Sequence, residues 1–408
     1  MNDFEIHIQT QLLFGAGKER EFYKRLSGIG KRIFIVIGGG SVKRLGYLEQ
    51  LEKGLEEHAL VTKIFEGIEP NPTAATINIA AKNAADFEAD VILALGGGSA
   101  MDAAKAIAGL VYAGEDDIWP YVLGQPRAGQ MTGALPIAAV PTTAATASEV
   151  TPHSVISKPE INGKSPISYP FLRPTVSWLN PGFTLELPLT PTRDGASDIL
   201  SHVFESYLLG GNQSPLADRY SEGVISTVLE TLPQVAAEPR NYELRAQLLW
   251  ASSLALNGYQ MAGRQPAAFV MHGIEHAISG FYHSIAHGRG LATIYPAYFR
   301  WLWRQDRCRD RMAQLGERLF DIDKDDVSYA SLSFISRFEE WLKSNDLYQS
   351  LSDLGVAPEK FEAIAEYAVQ TYGDGTQMQG RGPITKEDIV AIFQLCEQQR
   401  AETPPAAG

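Results

Sequence analysis

The sequence predicts an α/β protein of two parts: a doubly wound, Rossmann-like parallel sheet over residues 1–190 and an all-helical domain over residues 191–408. Three observations carry this. Short runs of consecutive apolar, often β-branched residues recur through the first half and alternate with amphipathic stretches. Two of these runs end in the same tetrapeptide, Gly-Gly-Gly-Ser. Beyond a Pro-rich stretch, Leu187–Thr192, only helical patterns remain.

Ile33–Ile37, Val91–Leu95 and Ile137–Val140 lack polar alternation, which suits strands covered on both faces of a parallel sheet. Val61–Phe65 and Val176–Leu179 are weaker strand candidates. Helices are expected between them, over Gly46–His58, Thr73–Glu88 and Met101–Tyr112, and strand–helix alternation implies a doubly wound domain. The alternating start, Phe4–Phe14, is expected to pair as an edge strand or hairpin. In the second half the helical patterns are Arg193–Leu209, Ala217–Ala237, Tyr242–Met261, Ala267–Ile278, Ala297–Phe320, Tyr329–Asn345 and Pro358–Gln370. The Pro- and Ala-rich tail, Ala401–Gly408, is expected to fray.

Composition narrows the function classes. The net charge is 35 − 48 = −13, which disfavours nucleic acid and anionic membranes as partners. The two cysteines, Cys308 and Cys396, form no C-x-x-C pair, so neither a disulfide framework nor a thiolate zinc site is expected, and a reducing cytoplasm fits. No signal peptide and no membrane-spanning run is read in the chain.

Gly96-Gly97-Gly98-Ser99 stands between an apolar strand and a helix. Glycines let backbone approach a phosphate closely, and a helix start offers N–H groups and a positive dipole end. A diphosphate cradle is therefore expected there. It is not the G-x-G-x-x-G fingerprint with an acid about 20 residues on. The first turn, Gly38-Gly39-Gly40-Ser41, contains no carboxylate, and Lys43 and Arg44 follow. Such a turn tolerates or attracts a 2′-phosphate, which points to NADP(H) over NAD(H).

Of eight histidines, His272, His276, His283 and His287 fall in one short window, and His202 follows Asp198 at i+4 on one helix face. Carboxylate plus imidazole suits one divalent ion such as Fe2+ or Zn2+, with a position open for a substrate oxygen. Spacing alone leaves open which histidines ligate and which support.

With these residues in view, the chain resembles the iron-containing, or group III metal-dependent, alcohol dehydrogenases, whose architecture is shared with dehydroquinate synthase-like proteins. The likeness runs through Phe14-Gly15-Ala16-Gly17, Pro70-Asn71-Pro72-Thr73, Gly96–Asp102, Pro141-Thr142-Thr143, Ala147–Thr151, Asp198-x-x-x-His202, His272-x-x-x-His276 and Phe281-Tyr282-His283 with His287-Gly288. It implies metal ligation by Asp198, His202, His272 and His287, with His276 beside the active site as the catalytic candidate. It implies a cofactor against Gly96, Gly97, Gly98, Ser99 and Asp102, with Thr142, Thr143 and Ser148 near it, and Gly38–Ser41 of the type found in the NADPH-dependent aldehyde reductase and butanol dehydrogenase branch. The implied reaction moves a hydride between NAD(P)H and an aldehyde or primary alcohol, in a homodimer formed through the edge strand. Glycerol dehydrogenase-like polyol oxidation, a metal-assisted hydrolase or lyase, and a non-catalytic nucleotide-binding relative are the alternatives. Glycine turns argue against hydrolysis, which needs no dinucleotide. A substrate pocket drawing on Tyr259, Arg264, Phe269 and Phe281 is an expectation, with Arg264 as either a contact for an anionic substrate or a surface residue.

Three departures from the family pattern stand out. Ala145 and Ala147 replace the usual glycines, adding Cβ atoms near the cofactor. The His272–His287 spacing is one residue longer than usual, so His287 is displaced, or the loop 279–284 absorbs the insertion; His283 is the fallback ligand. Asn180 replaces a common aspartate, with no derived consequence.

Overall fold

The computed structural model describes residues 1–211 and 213–402. Its first part contains, in chain order, β1 (Gln11–Phe14), α1 (Glu19–Ile29), β2 (Arg32–Ile37), α2 (Ser41–Arg44), α3 (Tyr47–Glu57), β3 (Val61–Glu66), α4 (Ala74–Asp86), β4 (Val91–Gly96), α5 (Gly98–Ala113), β5 (Ile137–Pro141), β6 (His153–Lys158), β7 (Gly163–Ser168) and β8 (Val176–Leu179). Six of the strands form one sheet in the order β1-β8-β5-β4-β2-β3, and every pairing in it is parallel. The apolar runs are explained by burial on both faces. Phe34, Val36, Ile92, Ala94 and Ala139 pack with Ile77 and Ala80 of α4 and Met101 and Ile107 of α5. Their neighbours Ile33, Ile35, Ile37, Leu93 and Val140 pack on the other face with Phe22 and Leu26 of α1 and Leu51 and Leu55 of α3. Each Val, Leu, Ile, Phe or Met side chain among these contributes about 1.5–3 kcal/mol when fully buried.

The remainder comprises α6 (Leu189–Leu209), α7 (Pro215–Ala237), α8 (Tyr242–Ala255), α9 (Val270–Phe281), α10 (His287–Arg304), α11 (Arg309–Phe320), α12 (Val327–Ser344), α13 (Phe361–Tyr372), β9 (Gln377–Gly380), β10 (Gly382–Thr385) and α14 (Lys386–Glu402). Among the described residues, no helix is long and apolar enough to cross a membrane.

Two compact units result. One holds His7–Thr192 and Gln234–Asn257; the other holds Met1–Ile6, Arg193–Pro233 and the described residues from Gly258 onward. A linear division at 190/191 therefore differs from the contact-based one by two exchanged segments.

Several expectations need correction. The start is a strand only over Gln11–Phe14, pairing in parallel with β8; the amide of Asn2 instead donates to the carbonyl of Gly263 at 3.0 Å. The second part is not purely helical, because β9 and β10 form an antiparallel hairpin. Its strands have four residues each and contain Gln, Gly and Pro, so only the buried cross-strand pair Met378–Ile384 marks them. The pattern Ala297–Phe320 is two helices, broken where Asp306 and Cys308 take positive φ (54° and 63°). The antiparallel hairpin β6–β7, α1 and α14 had no counterpart among the expected elements. Residues 403–408 of the tail lie outside the described residues.

Candidate active site

The histidine cluster is assembled from three helices of one unit. α6 presents Asp198, His202 and Glu205 at i, i+4 and i+7, one face of the helix. α9 presents His272, Glu275 and His276, and His287 is the first residue of α10. The Nε2 atoms of His202, His272 and His287 stand 3.6, 3.8 and 3.7 Å from Oδ1 of Asp198. These separations are too long for hydrogen bonds. They suit a shared ion, since ligands about 2.1 Å from a tetrahedral centre lie about 3.4 Å apart. Asp198, His202 and His272 are all buried.

Two buried carboxylates set the imidazole tautomers. Nδ1 of His272 bonds to Glu205, and Nδ1 of His287 bonds to Glu275. Each Nδ1–H is thereby directed to a carboxylate, which leaves the Nε2 lone pair facing Asp198. Glu205 is itself fixed by the amide of Met271 at 2.5 Å. Electrostatics agree with a cation site. Burial pushes the Asp198 carboxyl up, but His202, His272 and His287 together hold it well below the usual carboxylate range. Burial pushes His272 down, yet Glu205 and Asp198 outweigh it and raise the imidazole to about 9.

Glycines bring His287 into place. A Cβ on Gly288 would stand 1.9 Å from the carbonyl oxygen of Asp194 on α6, and one on Gly290 would stand 2.8 Å from Cγ and Oε1 of Glu275. Only glycine lets the first turn of α10 close against both helices. α9 ends at Phe281 and α10 begins at His287, so residues 282–286 form the connection that returns the chain to the cluster. His283 belongs to neither grouping of possible ligand atoms, which are Asp198, His202 and His272, and Glu275, His276 and His287. His276 stacks on His287 with ring centroids 5.0 Å apart, and its Nδ1 lies 3.1 Å from the hydroxyl of Tyr372 on α13.

Of the expected pocket residues, Phe269 is at this cluster, edge-on to His272 at 5.3 Å. Tyr259 is exposed and packs edge-on against Tyr220, and Phe281 contacts Tyr367. Arg264 is not a surface residue. It is buried, pairs with Asp218 at 3.0 Å and lies over the Tyr207 ring. A buried guanidinium needs such partners, and sequence position could not show them.

The glycine turns lie in the other unit, at the carboxyl ends of β2 and β4. Gly97 caps α5 without a side-chain cap, and the first N–H groups of a helix have no partner within it. A Cβ on Gly97 would approach Thr143 Oγ1 to 3.1 Å, and one on Gly98 would meet Thr146 at 2.6 Å. The amide of Thr142 donates to Gly96 at 3.0 Å, tying the two strand ends together. This narrow cradle of backbone and threonine fits a diphosphate. Asp102 and Ser148 are joined to each other: Ser148 Oγ donates to Asp102 at 2.7 Å, and the Val155 amide donates to its second oxygen at 3.0 Å. Lys105 completes the network through Ser148 (2.7 Å) and the His153 carbonyl (2.7 Å), with burial pushing its amine down to about 8. Asp102 and Ser148 thus hold the loop 146–155 onto α5. Ala147, buried, has φ +52°, a conformation that favours the family's usual glycine; the Ala145 amide donates to Ser252 at 3.0 Å.

Glu205, Glu275, Tyr372, Gly290 and Thr146 escaped notice in the sequence. Glu205 had a signal, since it continues the Asp198–His202 face, and so did Glu275, which adjoins His276. Tyr372 had none.

Comparison with known proteins gives concordant matches. Residues 9–181 match the family model described as iron-containing alcohol dehydrogenase, and residues 192–396 match its C-terminal counterpart. The chain is 34% identical over 394 residues to NADH-dependent butanol dehydrogenase A of Clostridium acetobutylicum, covering 96% of this chain and 99% of the relative. It is 30% identical over 378 residues to the NADPH-dependent aldehyde reductase YqhD of Escherichia coli, covering 92% and 96%. The crystal structure of NADH-dependent butanol dehydrogenase A from Thermotoga maritima superposes with a TM-score of 0.90 at 30% identity, covering 97% and 99%.

Proposed function

The chain belongs to the iron-containing alcohol dehydrogenase family, and we propose that Asp198, His202, His272 and His287 hold its divalent metal, Fe2+ or Zn2+, in an NAD(P)-dependent alcohol dehydrogenase or aldehyde reductase. The observation that carries this reading is the convergence of three Nε2 atoms on one Asp198 oxygen at 3.6–3.8 Å. When bound, the metal supplies Lewis acidity towards an aldehyde or alcohol oxygen, and the nicotinamide supplies or accepts the hydride. The chain's own residues orient and hold protons. Glu205 and Glu275 fix the tautomers of His272 and His287. His276, positioned by Tyr372, is the side chain beside the ligand set that can exchange a proton with the substrate oxygen. Phe269 provides an apolar wall, suited to a small aliphatic substrate.

Gly96–Ser99 cradle the cofactor diphosphate, with Thr142 and Thr143 beside it and Asp102 and Ser148 shaping the wall. Gly38–Ser41 seat the adenosine ribose. The absence of a carboxylate within this turn, together with Arg44, supports NADPH as the favoured cofactor. Edge strand β1 supports a homodimer formed along the sheet. Two buried, unpaired cysteines support a reducing cytoplasm as the compartment.

The test is oxidation of NADPH and NADH followed at 340 nm with butanal, after anaerobic reconstitution with Fe2+ or Zn2+ and against a chelated control. Metal-dependent turnover faster with NADPH is expected. Turnover that survives in Asp198→Ala protein stripped of metal would sink the ligand assignment, and a preference for NADH would reject the cofactor reading alone.

A further inference from the structure

The first glycine turn is not completed by its own four residues. The segment 66–68, from the last residue of β3 onward, is strapped across it. The amide of Ile68 donates to Ile37 at 3.2 Å, the amide of Gly67 donates to Gly38 at 3.4 Å, and a Cβ on Gly38 would stand 3.3 Å from the Ile68 carbonyl oxygen. Gly40 has φ +93°, and its Cβ position lies 3.6 Å from Oε1 of Glu66. The other oxygen of Glu66 pairs with the ammonium of Lys43. Both side chains are about half exposed, at 44% and 45%, so a ligand seated at the turn meets them directly.

We infer that Glu66 is a specificity-determining residue for the cofactor: by pairing with Lys43 it limits how strongly the turn favours a 2′-phosphate over a free 2′-hydroxyl. This rests on the reading of Gly38–Ser41 as the adenosine-ribose seat. A 2′-phosphate brings nearly two negative charges. It meets a carboxylate at the rim of the turn and a lysine already neutralised, leaving Arg44 to attract it. Removing one negative charge about 6–8 Å from such a group, at a surface with physiological screening, changes binding about three- to tenfold. A neutral 2′-hydroxyl feels little of this.

The test is calorimetric titration of NADP+ and NAD+ into the wild type and into Glu66→Gln, Lys43→Ala and the double variant, which needs no turnover. Glu66→Gln should tighten NADP+ by about three- to tenfold and move NAD+ by less than about twofold, with the gain shrinking at high salt. The double variant should lose the gain, because Lys43 is the cation released. Unchanged NADP+ affinity in Glu66→Gln would overturn the inference. So would weaker NAD+ binding with NADP+ unchanged, since Glu66 would then be a ribose ligand and not a mask. Ser41→Asp separates this failure from that of the underlying reading. An acid there must weaken NADP+ if the turn faces the 2′-position, and no effect would remove the seat itself and the inference with it.

Discussion

Substituting Gly290 by alanine tests the packing that positions His287. The added Cβ would lie 2.8 Å from Cγ and Oε1 of Glu275, where ordinary contact begins at 3.4 Å. Glu275 must therefore retreat by about 3.4 − 2.8 = 0.6 Å, or α10 must back away by the same amount. The Glu275 side chain is fully buried, so it has no open rotamer to adopt. Either movement acts on His287, whose Nδ1 is bonded to that carboxylate. Metal–ligand distances tolerate about 0.2 Å, so a shift three times larger exceeds what the site absorbs. Loss of a supporting partner of this kind lowers metal affinity by about 10–100-fold, and overpacking lowers stability by about 1–3 kcal/mol. The assay is competition for Zn2+ against a chromophoric chelator, with urea denaturation of the metal-free protein alongside. Gly17→Ala is the control, because its Cβ would meet nothing within 4 Å. Wild-type Zn2+ affinity in Gly290→Ala would refute the claim that this glycine sets the ligand geometry.

Further outcomes are expected. In the metal-free protein, the raised His272 value stabilises the fold fully below the ordinary imidazole value of 6.5, and this is lost as pH rises through about 9. The Tm should therefore fall between pH 6.5 and 9 without metal and fall less with Zn2+ bound; a flat metal-free profile would contradict the assigned electrostatics. Ala147→Gly should stabilise the protein by about 1 kcal/mol by relieving the positive φ, measured by urea denaturation; destabilisation would mean the methyl packing outweighs the strain. Arg264→Ala should cost about 3 kcal/mol, by leaving Asp218 with fewer partners, and should leave KM values for neutral and anionic aldehydes in the same ratio. A selective rise for anionic substrates would identify Arg264 as a substrate contact.

The sheet was legible because its inner strands β2, β4, β5 and β8 are buried on both faces, which gives them continuous apolar runs. The β9–β10 hairpin and the start of α10 were not. Four-residue strands leave too short a period to read, and α10 begins with His287-Gly288-Arg289-Gly290, where glycines signal breakage although here they permit close packing. For the site, the Asp198–His202 and His272–His276 pairs were legible as metal-binding residue types at helical spacing, whereas the choice of His287 came only with the family resemblance. Glu205 and Glu275 were hidden among 48 acidic residues, since a carboxylate's role depends on what it faces.

By itself the sequence determined the fold class, the glycine turns and the ligand candidates, because these depend on local chemistry: burial pattern, backbone freedom and donor type along a few residues. Only the tertiary structure decided that His287 lies against Asp198, that Glu205 and Glu275 fix the imidazoles, and that Arg264 is a buried strut. It also brought Glu66 to a turn that contains no acid of its own. The physical reason is the same in each case. Hydrogen bonds and charge pairs act over a few ångströms in space, and residues a dozen or more positions apart in the chain become neighbours only when the sheet and helices bring them together.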